Sequence, residues 1–120
     1  MDLVEIDRNE LKEKVKAHIT EHPELFDIQH IGLFIPGTYK IDLTKRACIA
    51  GITLGILEYD LNPNDNHQPV TCLVRNIFGL DKIELFHLSG WEPETITQYH
   101  AADAKGKAKL ACEQIDKFIT

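Results

Sequence analysis

The sequence predicts a mainly α protein, one compact domain over residues 1–120 with five or six helices and at most one short β-hairpin near residues 30–43. Three observations carry that prediction. Residues 8–22 place Leu11, Val15, His18, Ile19 and His22 on one face at helical spacing. The run from Ala47 to Leu57 is apolar except for Thr53, the mark of a central, buried helix. Near the C-terminus, Ala104, Ala108, Ala111, Ile115 and Phe118 advance by four, three, four and three, a narrow seam on a long helix.

The elements follow in order. The first helix carries Lys and Glu on its wet side and is limited by Pro23. From Glu24 to Leu43 the helical period is lost. HIGLFI and YKIDL flank Pro36-Gly37-Thr38, a type II turn signal, and Tyr39, Ile41 and Leu43 alternate along the second flank. A helix over about Thr44–Tyr59 is expected next, capped by Asp42 or Thr44. NPNDNHQP (residues 62–69) reads as a loop, after which Val70, Leu73, Val74, Ile77 and Phe78 form a stripe ending at Gly79. DKIE (residues 81–84) has the order of a capping box and opens a short helix that stops at Gly90. On the last helix, Asp103 with Lys107 and Glu113 with Lys117 are spaced for favourable pairs.

A chain of 120 residues buries roughly 65% of its unfolded surface, enough for one core without staples. Its 43% hydrophobic and 27% charged content is that of an ordinary globular protein, and no apolar run is long enough to span a bilayer. MDLVEIDRNE carries acids where a signal peptide carries bases, so a cytoplasmic location is expected. Cys48, Cys72 and Cys112 are odd in number and widely spaced, which predicts free thiols. Residues 1–30 hold eight acidic and four basic side chains and so account for −4 of the net charge of −6. That balance argues against nucleic acid and anionic membranes as partners.

Four groups of residues are candidates for chemistry. His18 and His22 in HITEH match the HxxEH order of a zinc site, but they fall within the apolar stripe and Pro23 ends the helix there, so no metal is expected. Cys48, after Lys45 and Arg46, has the setting of a thiolate activated at a helix start, with His87 or His100 as the base. Against this, Ala47, Gly51 and Gly55 recur every four residues, a spacing that lets another chain segment approach closely and bury the thiol. Lys40, Lys45 and Arg46 form a positive spot, and cations in a first helical turn oppose its dipole unless an anion is present. Trp91, the lone tryptophan, suits either a partner anchor or a core filler whose N–H finds a carbonyl.

The pieces EHPELFD, ACIAG, IFGLD, ELFHLSGW and ACEQIDKFI, in that order, resemble a loose group of small bacterial and phage proteins. The group shares a Cys-x-Ala-Gly helix start and a Leu-Phe segment followed by a Trp. The segment His30–Arg46 is longer than the group's usual chain. The resemblance implies a compact helical domain and carries no activity with it.

The expectation is therefore a domain that acts by binding, with another protein as the partner, a homo-oligomer allowed, and no cofactor. A cysteine hydrolase at Cys48 and a small-anion sensor at Lys45 and Arg46 are the alternatives.

Overall fold

Asp7 opens the first helix, its carboxylate accepting the N–H groups of Asn9 and Glu10 at 3.0 and 3.2 Å. The computed structural model describes residues 7–62, 70–79 and 88–118. Five α-helices lie among them: α1 (Arg8–Glu21), α2 (Ile49–Ile56), α3 (Val70–Phe78), α4 (Pro93–Ala101) and α5 (Ala104–Phe118). Single 3-10 turns cover Pro23–Leu25 and Leu88–Gly90. The protein is mainly helical, as its sequence predicts, and no sheet forms among the described residues. The helix expected to open at DKIE lies outside the described residues up to position 87.

The apolar stripes meet in the order their patterns suggest. Leu11, Val15 and Ile19 bury one face of α1, which packs on α2 and on Ala108, Ala111 and Ile115 of α5. The seam of α5 begins one turn later than predicted, since Ala104 is exposed. Every residue of α2 from Ile49 to Gly55 is buried, and Thr53, the one polar member, donates its hydroxyl to the Ile49 carbonyl at 2.8 Å. Leu73, Val74, Ile77 and Phe78 of α3 are buried, and α3 packs on α2.

Helix α2 starts five residues later than the expected Thr44, with Cys48 in the cap position instead of Asp42 or Thr44. The reason is a long-range contact. The Ala47 N–H donates to the Leu25 carbonyl at 2.9 Å and the Asp27 N–H to the Ala47 carbonyl at 3.1 Å. This parallel bridge between Phe26 and Ala47 holds the backbone extended, so the helix begins only beyond it. Asp42 closes its own turn, accepting the Thr44 N–H at 2.9 Å and the Thr44 hydroxyl at 2.6 Å.

The wet side of α5 also pairs differently from its local spacing. Lys117 reaches Glu92 at 2.6 Å rather than Glu113, and Asp103 accepts the Gly106 N–H at 2.8 Å while Lys107 lies 5.2 Å from the Tyr99 ring centre. Lys16 donates to both oxygens of Asp116 at 2.7 and 2.8 Å, joining α1 to α5.

Candidate functional site

The segment between α1 and α2 forms the predicted hairpin in minimal form. Phe34 and Ile41 make a single antiparallel bridge, with the Ile35 N–H donating to the Lys40 carbonyl at 2.9 Å and the Asp42 N–H to the Leu33 carbonyl at 2.7 Å. The turn Ile35-Pro36-Gly37-Thr38 is closed by the Thr38 N–H on the Ile35 carbonyl at 2.9 Å. Gly37 has φ +81°, the left-handed value a type II turn requires at its third position.

Helix α2 holds the root of this hairpin. A Cβ on Gly51 would overlap the Ile31 carbonyl oxygen, so the main chain at Ile31 rests directly on the helix backbone. One turn on, the Leu43 side chain lies over Gly55, with Cδ2 2.5 Å from where a Cβ would stand. The small-residue period of Ala47, Gly51 and Gly55 therefore accommodates the hairpin rather than another helix.

The side chains of the hairpin are what set it apart. Ile31, Leu33, Phe34, Ile35 and Tyr39 are 40%, 53%, 46%, 43% and 43% exposed, and they are the exposed large hydrophobics among the described residues. Phe34 and Tyr39 meet edge to face, ring centres 5.7 Å apart. Residues opposite one another in a β-bridge share a face, so Phe34 and Tyr39 lie on the side of Ile41, while Leu33 and Ile35 lie on the side of Asp42 and Lys40. On the second strand Ile41 is 4% exposed, while Lys40 and Asp42, on the opposite face, are half-buried. The first strand carries apolar side chains on both faces. This patch was missed from sequence because IGLFI reads as core, although a strand paired with the alternating YKIDL ought itself to alternate.

Cys48 is buried, 6% exposed, and burial pushes its thiol above the ordinary range. The backbone N–H groups of Gly51 and Ala50 oppose that shift less strongly, and no side-chain capping hydrogen bond forms. Of its two candidate bases, His87 lies outside the described residues and His100 is exposed on α4, stacked edge-on to Tyr99 at 5.9 Å. His18 and His22 have ring centres 5.1 Å apart at the end of α1, and no group of three or more potential metal ligands exists among the described residues. Burial, followed by the neighbouring His22, lowers the His18 pKa below its ordinary value.

Lys45 and Arg46 are exposed and precede the Cys48 cap, so they stand outside the first turn of α2, where the sequence had put them. The conflict with the helix dipole that suggested an anion disappears with the shorter helix. Lys40 is half-buried beside the bridge. Hydrogen bonds from Thr44, and then the charge of Lys45, hold the Asp42 carboxyl below the usual carboxylate range.

Trp91 occupies an interior position rather than an interface. It is 4% exposed and packs edge-on against Tyr99, ring centres 5.6 Å apart, while Tyr99 meets Phe26 at 6.4 Å. The carbonyl expected for its N–H is not found among the described residues. An open cavity of about 310 Å³ lies between the end of α1 and α5, lined by Thr20, Pro23, Lys105, Ala108, Lys109 and Cys112. Burial raises the Cys112 thiol pKa, and the thiol donates to the Lys16 carbonyl, with Sγ 3.7 Å from the oxygen.

No described helix is long and apolar enough to cross a membrane. Comparison of the chain with family models, with curated proteins and with solved structures finds no match.

Proposed function

We propose that this protein acts by binding another polypeptide chain through the hairpin at residues 31–39. The observation that carries the reading is the concentration of exposed large hydrophobics in those nine residues. Five such side chains at this exposure present on the order of 400 Å² of apolar surface over the two faces of the hairpin, the size of the largest apolar patch of a monomer, which is often functional. Lys40 and Asp42, opposite Ile35 and Leu33 in the hairpin, supply a polar border, the usual surround of an apolar contact. A hydrolase at Cys48 has less support, because its thiol is buried and burial raises its pKa, and an anion site loses its motive once Lys45 and Arg46 stand outside the helix.

The test is affinity capture with the wild-type chain and with a Leu33→Asp, Ile35→Asp variant whose helical content is verified by circular dichroism. Both side chains are exposed, so the fold tolerates the change. Bound protein is expected with the wild type and not with the variant; equal capture by both would refute the hairpin as the contact.

A further inference from the structure

The two strands of the hairpin are unequal. Residues 39–42 have one edge against residues 33–35, and on the other edge the Tyr39 carbonyl accepts the Leu61 N–H at 2.9 Å. Among the described residues, 33–35 have only one edge covered. The bonds at the Phe34–Ile41 bridge run from Ile35 and to Leu33, so the N–H and C=O of Phe34 point away from the hairpin, and no described residue bonds to them. A strand with apolar side chains on both faces has the composition of an interior strand, yet this one stands at an edge.

We infer that the hairpin edge at Phe34 is completed by the same edge of a second copy of this chain, strand against strand, giving a four-stranded sheet across a two-fold axis. This rests on the reading that the hairpin is the binding surface and names its occupant.

The register is restricted by the chain itself. Pro36 has no N–H to give, and the Gly32 N–H is already donated to His30 Nδ1 at 3.1 Å. Phe34 is left as the residue that can both donate and accept along this edge. Two antiparallel copies then meet at Phe34, each N–H on the other's carbonyl, and each Ile35 lies opposite the other copy's Leu33. On the outer face the two Leu33 and two Ile35 side chains become one apolar cluster. Lys40 and Asp42 bound it on either side, because Lys40 sits opposite Ile35 and Asp42 opposite Leu33 within each hairpin. On the other face the row reads Ile41, Phe34, Phe34, Ile41. An interior-type strand becomes interior, and no like charges are brought into direct opposition.

The size of the patch sets the strength. The exposed side chains that the pairing brings together, Leu33, Phe34 and Ile35, cover well under half of what a standard interface takes from each partner, so the dimer is weak.

Sedimentation of the full chain from about 10 µM to 1 mM, with amide hydrogen exchange at both limits, tests the inference. The expected result is a monomer at the low limit, a mainly dimeric chain at the high limit, and exchange at the Phe34 amide slowed at least about twofold by concentration; this readout needs no variant. Leu33→Lys with Ile35→Lys is expected to weaken self-association at least about tenfold, and Leu33→Thr with Ile35→Thr serves if the charged variant does not fold. A monomer at 1 mM with concentration-independent Phe34 exchange overturns the second-copy inference, as does a dimer indifferent to these substitutions. If capture of a different protein still depends on Leu33 and Ile35, only the choice of occupant falls; if it does not, the hairpin reading falls too.

Discussion

Replacing Gly51 by Ala probes the seat of the hairpin on α2. Alanine inside a helix is favoured over glycine by about 1 kcal/mol, so on propensity alone the substitution stabilises. Its Cβ, however, would overlap the Ile31 carbonyl oxygen, a main-chain atom that cannot rotate aside as a side chain can. The chain at Ile31 must lift, and with it Gly32, whose α-carbon is packed so closely that an added Cβ would lie 3.1 Å from Ile41 and 3.3 Å from Ala47. Forcing a methyl group into such a site costs about 3 kcal/mol, at the upper end of overpacking, which leaves a net loss of about 2 kcal/mol. Gly55→Ala is the control. Its Cβ meets Cδ2 and Cγ of the half-buried Leu43 side chain, which can move aside where a main-chain carbonyl cannot, so its net cost is expected to be smaller, about 1 kcal/mol or less. Urea unfolding followed at 222 nm gives both values, and at about 4 °C per kcal/mol the Gly51 variant melts about 8 °C lower. If Gly51→Ala proves as stable as the wild type, or costs no more than Gly55→Ala, the close approach of Ile31 to α2 is wrong.

Three further outcomes are expected. Ile115→Ala, at a position fully buried between α5 and α1, should lower stability by about 3 kcal/mol in the same urea assay. In the folded protein at pH 8, Cys48 should react with a disulfide reagent at least about tenfold more slowly than the half-buried Cys72, and the difference should vanish in urea. His18 should titrate below its ordinary 6.5 by NMR. Because the folded value is depressed, the unfolded chain binds the proton first, so stability is full above pH 6.5 and declines as pH falls from there to the folded pKa. His18→Gln removes that part of the pH dependence, and an unchanged profile would show that another group carries it.

What was legible in the sequence is what depends on local period. Leu11, Val15 and Ile19 lie four residues apart and point one way whatever they meet, so α1 could be drawn without its partners, and the seam of α5 likewise. The turn at Pro36-Gly37 was legible because its chemistry is contained in adjacent residues. Contacts between distant segments were not. The start of α2 is decided by hydrogen bonds between Ala47 and residues 25 and 27, and no window around Thr44 contains that information. Lys117 prefers Glu92 to Glu113 for the same reason. The spacing of Ala47, Gly51 and Gly55 announced a close approach but not what approaches. The surface patch stayed hidden because apolar residues are assigned to the core by default, and only the pairing with Lys40 and Asp42 shows that Leu33 and Ile35 face outward.

The contact between the Ile31 carbonyl and Gly51 also bears on how freely the hairpin moves. A projecting arm usually pivots at its base, and a partner that grips it must first arrest that motion at an entropic cost. Here the base is seated on the most buried of the described helices, and Leu43 packs over Gly55 at the other end of the loop. The exposed residues are thus carried on a base packed at both ends against α2 rather than on a free hinge.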